Sequence, residues 1–185
     1  MTTAKTDLRR RLRRCRAALA VEERAAESAA VVATLLPLLN EAPTLASYQA
    51  LSDEVDLTAL HHHWWRLGRP VWLPRVVRSD LTWHPVVDPD DCRPGAFGIR
   101  EPDPARIPAL PLPADAVILV PGVAFDARGG RLGQGKGFYD RALATHPGRT
   151  IGVGFTCQEV PEVPREAHDI PLDLVILGWR VLTPG

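Results

Sequence analysis

Apolar positions recur at helical spacing in two early segments of the chain, residues 5–19 (Leu8, Leu12, Cys15, Leu19) and 22–39 (Val31, Leu35, Leu38). With their Ala/Leu/Arg/Glu-rich filling, these predict two helices, the second stopped before Pro43. Further on the period changes. TLASYQA (44–50) and PVWLPRV (70–76) read as strands flanking a capped helix over 52–68 that Gly68 closes, and LTWHPVV as a weaker strand. AVILVP (116–121), TIGVGF (150–155) and LDLVILG (172–178) are short, unbroken apolar runs, the pattern of strands covered on both faces, and a helix is predicted to begin near Gly137 between the first two. Strand and helix alternation of this kind predicts an α/β domain around a mostly parallel sheet. Residues 85–114, dense in proline, are expected to form an extended loop.

At 185 residues the chain fits one domain, 1–185, with no internal repeat and no apolar run near the ~20 residues a membrane span requires. The arginine-rich start lacks the apolar core and cleavage site of a secretory signal, so a cytoplasmic location is expected. Cys15, Cys92 and Cys157 are far apart and odd in number, which argues for reduced thiols over a disulfide framework or zinc site. Lys+Arg and Asp+Glu balance at 22 each, removing any global electrostatic argument for nucleic acid. Residues 1–24 nonetheless carry eight basic residues, read mostly as a solvated helix face, with an anionic partner as the alternative. Of the 22 basic residues only Lys5 and Lys136 are lysines, which singles out two positions where a compact ammonium is retained.

Candidate chemistry concentrates in VPGVAFDARGGRLGQGKGFYDRAL (120–143). Glycines let backbone N–H groups and a helix N-terminus converge on a phosphate, because no Cβ blocks the approach. Gly130 to Gly137 is one residue from a P-loop, with Gly137 in place of the Ser or Thr that would hold magnesium. Asp140, one turn into the helix, is then the nearest metal candidate; its other reading is an acid complementing the helix dipole. Glu54 is read either as an N-terminal-turn acid on the helix expected from Asp53 onward or as a carboxylate that binds a substrate. His61, His62 and His63 point about 100° apart on a helix and are read as structural, and Trp64, Trp65, Trp72 and Trp83 as packing aromatics.

The run RLGQGKGFYDR after VPGVAFD resembles the signature of the 5-formyltetrahydrofolate cyclo-ligase family, also called methenyltetrahydrofolate synthetases. Lys5-x-x-Leu8-Arg9, SDEVD, FGIREP and HDIPLDLVI match further family segments in order. The resemblance implies a three-layer α/β/α fold similar to sugar-phosphate isomerases and CoA transferases. It also implies a monomer that cyclises 5-formyltetrahydrofolate to 5,10-methenyltetrahydrofolate with Mg-ATP, through a phosphorylated formyl group. Carried over, Lys5, Arg9 and the loop Arg131, Leu132, Gly133, Gln134, Gly135, Lys136, Gly137, Phe138 and Tyr139 would bind ATP, with Lys136 and Arg131 catalytic. Tyr48, Gln49, Glu54 and Phe97, with Gln134 to Phe138 of the loop, would meet the folate, and Asp140 and Asp169 would ligate magnesium. Phe138 departs from the family's first tyrosine in G-Y-Y-D and lacks its hydroxyl. Two other classes compete: an ATP-independent enzyme of the same broad fold, and a non-catalytic nucleotide- or RNA-binding protein using the arginine-rich helix.

Overall fold

In the computed structural model of the chain, residues 3–95, 99–166 and 169–184 are described. Helices α1 (Thr3–Ala18) and α2 (Val21–Leu39) open the chain. Then come β1 (Leu45–Ala46), α3 (Thr58–Arg66), β2 (Val71–Val77) and β3 (Asp80–Val86), followed by the small hairpin β4 (Cys92–Pro94) and β5 (Arg100–Pro102). β6 (Val117–Pro121) leads into a second hairpin, β7 (Ala124–Phe125) and β8 (Arg131–Leu132), before α4 (Phe138–Ala144). The chain closes with β9 (Thr150–Gly154), β10 (Leu174–Leu177) and β11 (Arg180–Leu182).

Seven strands form one sheet in the order β11-β10-β9-β6-β1-β2-β3. The five inner strands are parallel and the two edge strands antiparallel. Alternate residues of each inner strand serve two separate cores. Leu45, Val71, Leu73, Val117, Leu119, Ile151 and Ile176 face α2 and α3, whereas Ala46, Trp72, Ile118, Val120 and Val175 face α4 and Phe125. Both faces are therefore apolar, which explains the unbroken runs in the sequence. The layers are helix, sheet and helix, as the resemblance implies.

Phe125 fixes the spacing of the second core. Its ring is fully buried, and a Cβ added at Gly122, Gly152 or Gly154 would lie 2.6 to 2.9 Å from it. Three glycines thus clear room for one aromatic ring between hairpin and sheet.

Local departures from the expected elements follow from specific hydrogen bonds. The strand expected over 44–50 ends at Ala46 because Tyr48 turns out of the sheet, its hydroxyl donating to the Val55 carbonyl at 3.1 Å. The helix expected from residue 52 begins at Thr58: the Asp56 carboxylate accepts from the Thr58 N–H at 2.9 Å, and the Asp56 N–H donates to Ser28 Oγ. This Asx turn supplies the start signal and leaves 51–57 as a loop. The proline-rich segment holds the β4–β5 hairpin and a bridge from Leu110 to Trp83. His61 is buried against Ser47 Oγ at 2.8 Å, and His62 and His63 stay on the outer helix surface or half-buried, as their structural reading requires.

Asp126 ties the β7–β8 turn to a distant segment. Its Oδ1 accepts from the N–H groups of Arg128 (2.9 Å) and Gly130 (2.8 Å), and its Oδ2 from Val163 N–H (2.8 Å), with Arg165 as ion partner at 3.4 Å. Burial alone would raise this carboxyl, but those N–H donors and Arg165 bring it below the usual aspartate range.

Two outcomes are expected. Phe125→Ala should lose about 3–5 kcal/mol and Gly152→Ala about 1–3 kcal/mol in urea unfolding, the first by cavity, the second by overpacking. Stability should also fall with acid in two windows. Burial depresses His61 to about 4, so the stability present above its unfolded value of 6.5 is lost as pH drops from 6.5 toward 4. Asp126, depressed from 3.8, adds loss below that. Urea midpoints followed against pH should show the first limb removed in His61→Gln and the second in Asp126→Asn.

Candidate active site

The strand order reverses between β1 and β6: the chain proceeds from β1 to β2 on one side and from β6 through β9 to β10 on the other. A crevice opens beyond the carboxyl ends of two such strands and is the usual ligand position in a parallel α/β sheet. Tyr48, Gln49 and the 51–57 loop follow β1 there, and Gly122 follows β6.

Helix α1 lies over this end, in contact with β7 and with the short 3-10 turn Thr156–Gln158 after β9. Its buried positions are Lys5, Arg9, Leu12 and Arg16, spaced 4, 3 and 4 residues apart, so one helix face carries three cations inward. Leu12 joins Val123, Ala124 and Leu132 in a third apolar cluster. The reading of the basic cluster as a solvated face therefore holds only for the outer row: Arg10, Arg11, Arg13 and Arg14 are exposed, while Arg16 is 2% exposed.

Each inward cation meets a different part of the chain. Lys5 Nζ pairs with Glu166 at 3.0 Å and Asp169 at 3.2 Å. Burial would lower this ammonium, but the hydrogen bonds to the two carboxylates outweigh it and raise its pKa. Arg9 Nε donates to the Gly133 carbonyl at 2.8 Å. Arg16 bonds Asp53 Oδ2 at 2.6 Å, lies 3.6 Å from Glu54 Oε1 and reaches the Gly122 carbonyl at 3.4 Å.

The glycine string does not run straight from a buried strand into a helix, as a P-loop would. The β7–β8 hairpin intervenes, placing Arg131 and Leu132 on a strand, and only Gly133 to Gly137 form the open loop. Gly135 (φ 93°) and Gly137 (φ 69°) adopt left-handed backbone, and Gly137 is the residue from which α4 starts. Gln134 accepts from Arg13, and Lys136 is exposed at the loop's tip. Arg131 is buried, paired to Asp140 by its guanidinium and stacked 5.8 Å from the Tyr139 ring centre. Burial lowers both Arg9 and Arg131, against the opposing pull of Asp140 and Asp169, which lie within electrostatic reach of both. Arg9 Nη1 and Arg131 Nε are buried and have no hydrogen-bond partner among the described residues.

The adjacent rings of the loop's end part company. Phe138 lines a groove of about 320 Å³ with Trp83 and Leu112, whereas Tyr139 packs into the core beside Arg131, near enough to Glu54 for that carboxylate to raise its phenol further above the burial effect. Glu54 sits in a turn, not in the first turn of a helix; its Oε2 accepts from Leu51 N–H at 3.2 Å, and burial raises its pKa against the lowering pull of that N–H and Arg16. Burial, reinforced by Glu54, likewise pushes Tyr48 well up. Burial pushes the Cys92 thiol up to about 11, against the lowering pull of the neighbouring Gln49 side chain. Phe97 lies outside the described residues.

The structure thus gathers Lys5, Arg9, Arg131, Asp140 and Asp169 into one charged cluster and Tyr48, Glu54, Tyr139 and Arg16 into another beside it. Lys136 stands apart on the loop. Sequence reasoning passed over Arg16, Asp53 and Asp126; the spacing Lys5, Arg9, Leu12, Arg16 was the available signal for the first. Among the described residues no three His, Cys, Asp or Glu side chains form a metal-ion cage, and no helix is long and apolar enough to cross a membrane.

The sequence pattern of the 5-formyltetrahydrofolate cyclo-ligase family matches residues 1–178. A 5-formyltetrahydrofolate cyclo-ligase of Mycolicibacterium smegmatis is 34% identical over 96% of this chain and 95% of its own length. One of Haemophilus influenzae is 31% identical over 96% and 99%. The solved structure of Aquifex aeolicus 5,10-methenyltetrahydrofolate synthetase superposes with a TM-score of 0.81 at 35% identity, covering 97% of this chain and 92% of that one. Agreement in sequence and in fold over nearly the whole length has one meaning: the chain belongs to the 5-formyltetrahydrofolate cyclo-ligase family.

Proposed function

We propose that this chain cyclises 5-formyltetrahydrofolate to 5,10-methenyltetrahydrofolate, consuming ATP and releasing ADP and phosphate. The observation that carries the ATP half is the pair of buried guanidinium N–H groups, Arg9 Nη1 and Arg131 Nε, that no acceptor among the described residues meets. A buried unsatisfied donor costs about 1–3 kcal/mol, more when charged, so a site that keeps two is built for an acceptor from outside. Lys5 beside them completes a trio suited to a polyphosphate, and the loop Leu132 to Tyr139 gives it backbone N–H groups and the Lys136 ammonium.

The chemistry asks for such a site. A formamide oxygen is a poor leaving group; when it attacks the γ-phosphorus of ATP, ADP departs and the oxygen becomes part of an imino-phosphate. N10 of the folate then attacks the formyl carbon, the C–O bond breaks, and phosphate leaves as N10 gives up its proton. Phosphoryl transfer requires mainly positioning and charge stabilisation, which Lys136 and Arg131 supply. Glu54, Tyr48 and Gln49, which follow β1 at the crevice, form the folate side.

Asp140 and Asp169 are hard oxygen donors within reach of the same cations, which suits magnesium held by one or two carboxylates together with substrate phosphates. Each aspartate has a cation partner, Arg131 and Lys5 respectively; phosphate taking over those cations leaves the carboxylates to the ion. When bound, magnesium neutralises developing charge on the phosphates.

Protein mixed with 5-formyltetrahydrofolate and Mg-ATP should generate the near-ultraviolet absorbance of the methenyl product, and omission of ATP should abolish it. Lys136→Ala should lower kcat by roughly 10²-fold or more. No product from folded protein overturns the reading. In calorimetric titration, Arg9→Ala should weaken ATP binding by about tenfold or more, and chelation of magnesium should weaken ATP binding to the unaltered protein; unchanged binding in both overturns the nucleotide assignment.

A further inference from the structure

Arg16 belongs to neither the nucleotide positions nor the folate positions, yet it is among the largest fully buried side chains in the molecule. Its guanidinium lies between two adjacent acids of the 51–57 loop and the end of β6. Nε and Nη2 both donate to Asp53 Oδ2, at 3.2 and 2.6 Å, and Nη1 faces Glu54 Oε1 at 3.6 Å and the Gly122 carbonyl at 3.4 Å. Glu54 is held from the other side as well, its Oε2 accepting from Leu51 N–H. Both carboxylate oxygens of Glu54 are thereby fixed, one by a charge on α1 and one by its own turn.

We propose that Arg16 is the positioning residue that sets Glu54 for the folate and couples it to the helix bearing the nucleotide cations Lys5 and Arg9. The inference rests on the reading of Glu54 as a folate contact given above. Three features support it beyond packing. The guanidinium is shared by two adjacent carboxylates, so its position bears on Glu54 as well as on Asp53. The planar fork spans two acids and a carbonyl at once, which a compact ammonium does not. Lys5, Arg9 and Arg16 also lie on one stripe of one rigid helix, so a shift of α1 as phosphate replaces Glu166 and Asp169 at Lys5 moves the guanidinium that Glu54 faces.

The groups around Glu54 define what its titration should report. Arg16 comes from α1, Asp53 and the Leu51 N–H from its own loop, Tyr48 from the end of β1, and Tyr139 from α4. Arg16 is the cation among those named for Glu54. It favours the carboxylate form, so its removal should move protonation of Glu54 to higher pH.

The test compares the full chain with Arg16→Lys, Arg16→Met and Glu54→Gln in steady-state cyclisation across pH, after circular dichroism has established which variants fold. Arg16→Met is expected to raise KM for 5-formyltetrahydrofolate at least tenfold with less than a threefold change in KM for ATP. It should also shift the acid limb of kcat/KM for the folate to higher pH. Arg16→Lys, which keeps the charge, should raise the folate KM threefold or more while leaving that limb near its original position. Glu54→Gln should abolish the limb. A wild-type folate KM in Arg16→Lys overturns the proposal whatever the fate of Arg16→Met, as does an equal rise in both KM values or an unmoved limb in folded Arg16→Met. Failure of the underlying reading is distinct: it is recorded when the unaltered chain gives no product or when Glu54→Gln keeps the wild-type folate KM.

Discussion

A helix that turns three cations inward cannot be stable as a hydrophobic stripe alone, because burying an uncompensated charge costs several kcal/mol or more. Every other feature of the site answers that constraint. Lys5 is met by Glu166 and Asp169, Arg16 by Asp53 and Glu54, and Arg9 by a loop carbonyl. Those partners come from three separate stretches of chain, so compensating α1 draws the 51–57 loop, the glycine loop and the residues Glu166 and Asp169 to one end of the sheet. Among the described residues the compensation is incomplete at Arg9 Nη1 and Arg131 Nε, and that is where the proposed anionic ligand would be received.

The scaffold beneath is stiff where the site needs it to be. Phe125, admitted by three glycines, locks the β7–β8 hairpin against β9, and Asp126 beside it gathers three backbone N–H groups from both the hairpin turn and the segment that leads to Glu166 and Asp169. One motif segment, VPGVAFD, therefore carries a packing anchor and a polar pin one residue apart. The loop from Gly133 to Gly137 is the contrasting part: left-handed at two glycines, open, with Lys136 exposed. A rigid frame of buried charges and an open loop bearing one more cation form a division of labour that suits the proposed reaction, which depends on placing a polyphosphate.

Phe138 and Tyr139 show how little sequence adjacency says about shared surroundings. Successive helical residues point about 100° apart; one ring lines the groove beside Trp83 and the other enters the core near Arg131 and Glu54. The hydroxyl that the family's first tyrosine would supply is absent from the groove side, while the one on the buried side is kept.

Legible in the sequence alone were the α/β class and the buried inner strands, since short unbroken β-branched runs such as Val117–Val120 and Leu174–Leu177 suit strands covered on both faces, whereas the short hairpins β4–β5 and β7–β8 and the edge strand β11 were not legible. The sequence also determined the family and the motif residues, because those are local strings. It did not determine where the third helix begins, since Ser52 and Asp56 offer equally good start signals and the choice fell to bonds with Ser28 and Tyr48, far away in the chain or across the turn. Nor did it separate Arg16 from its exposed neighbours. Periodicity marked the stripe through Leu8, Leu12, Cys15 and Leu19, and the family resemblance marked Lys5 and Arg9, but whether a stripe of arginines faces water or protein depends on whether acids await it. Asp53 and Glu54, 37 and 38 positions further on, reach Arg16 only because the sheet reverses its strand order between β1 and β6 and leaves both elements at the same crevice.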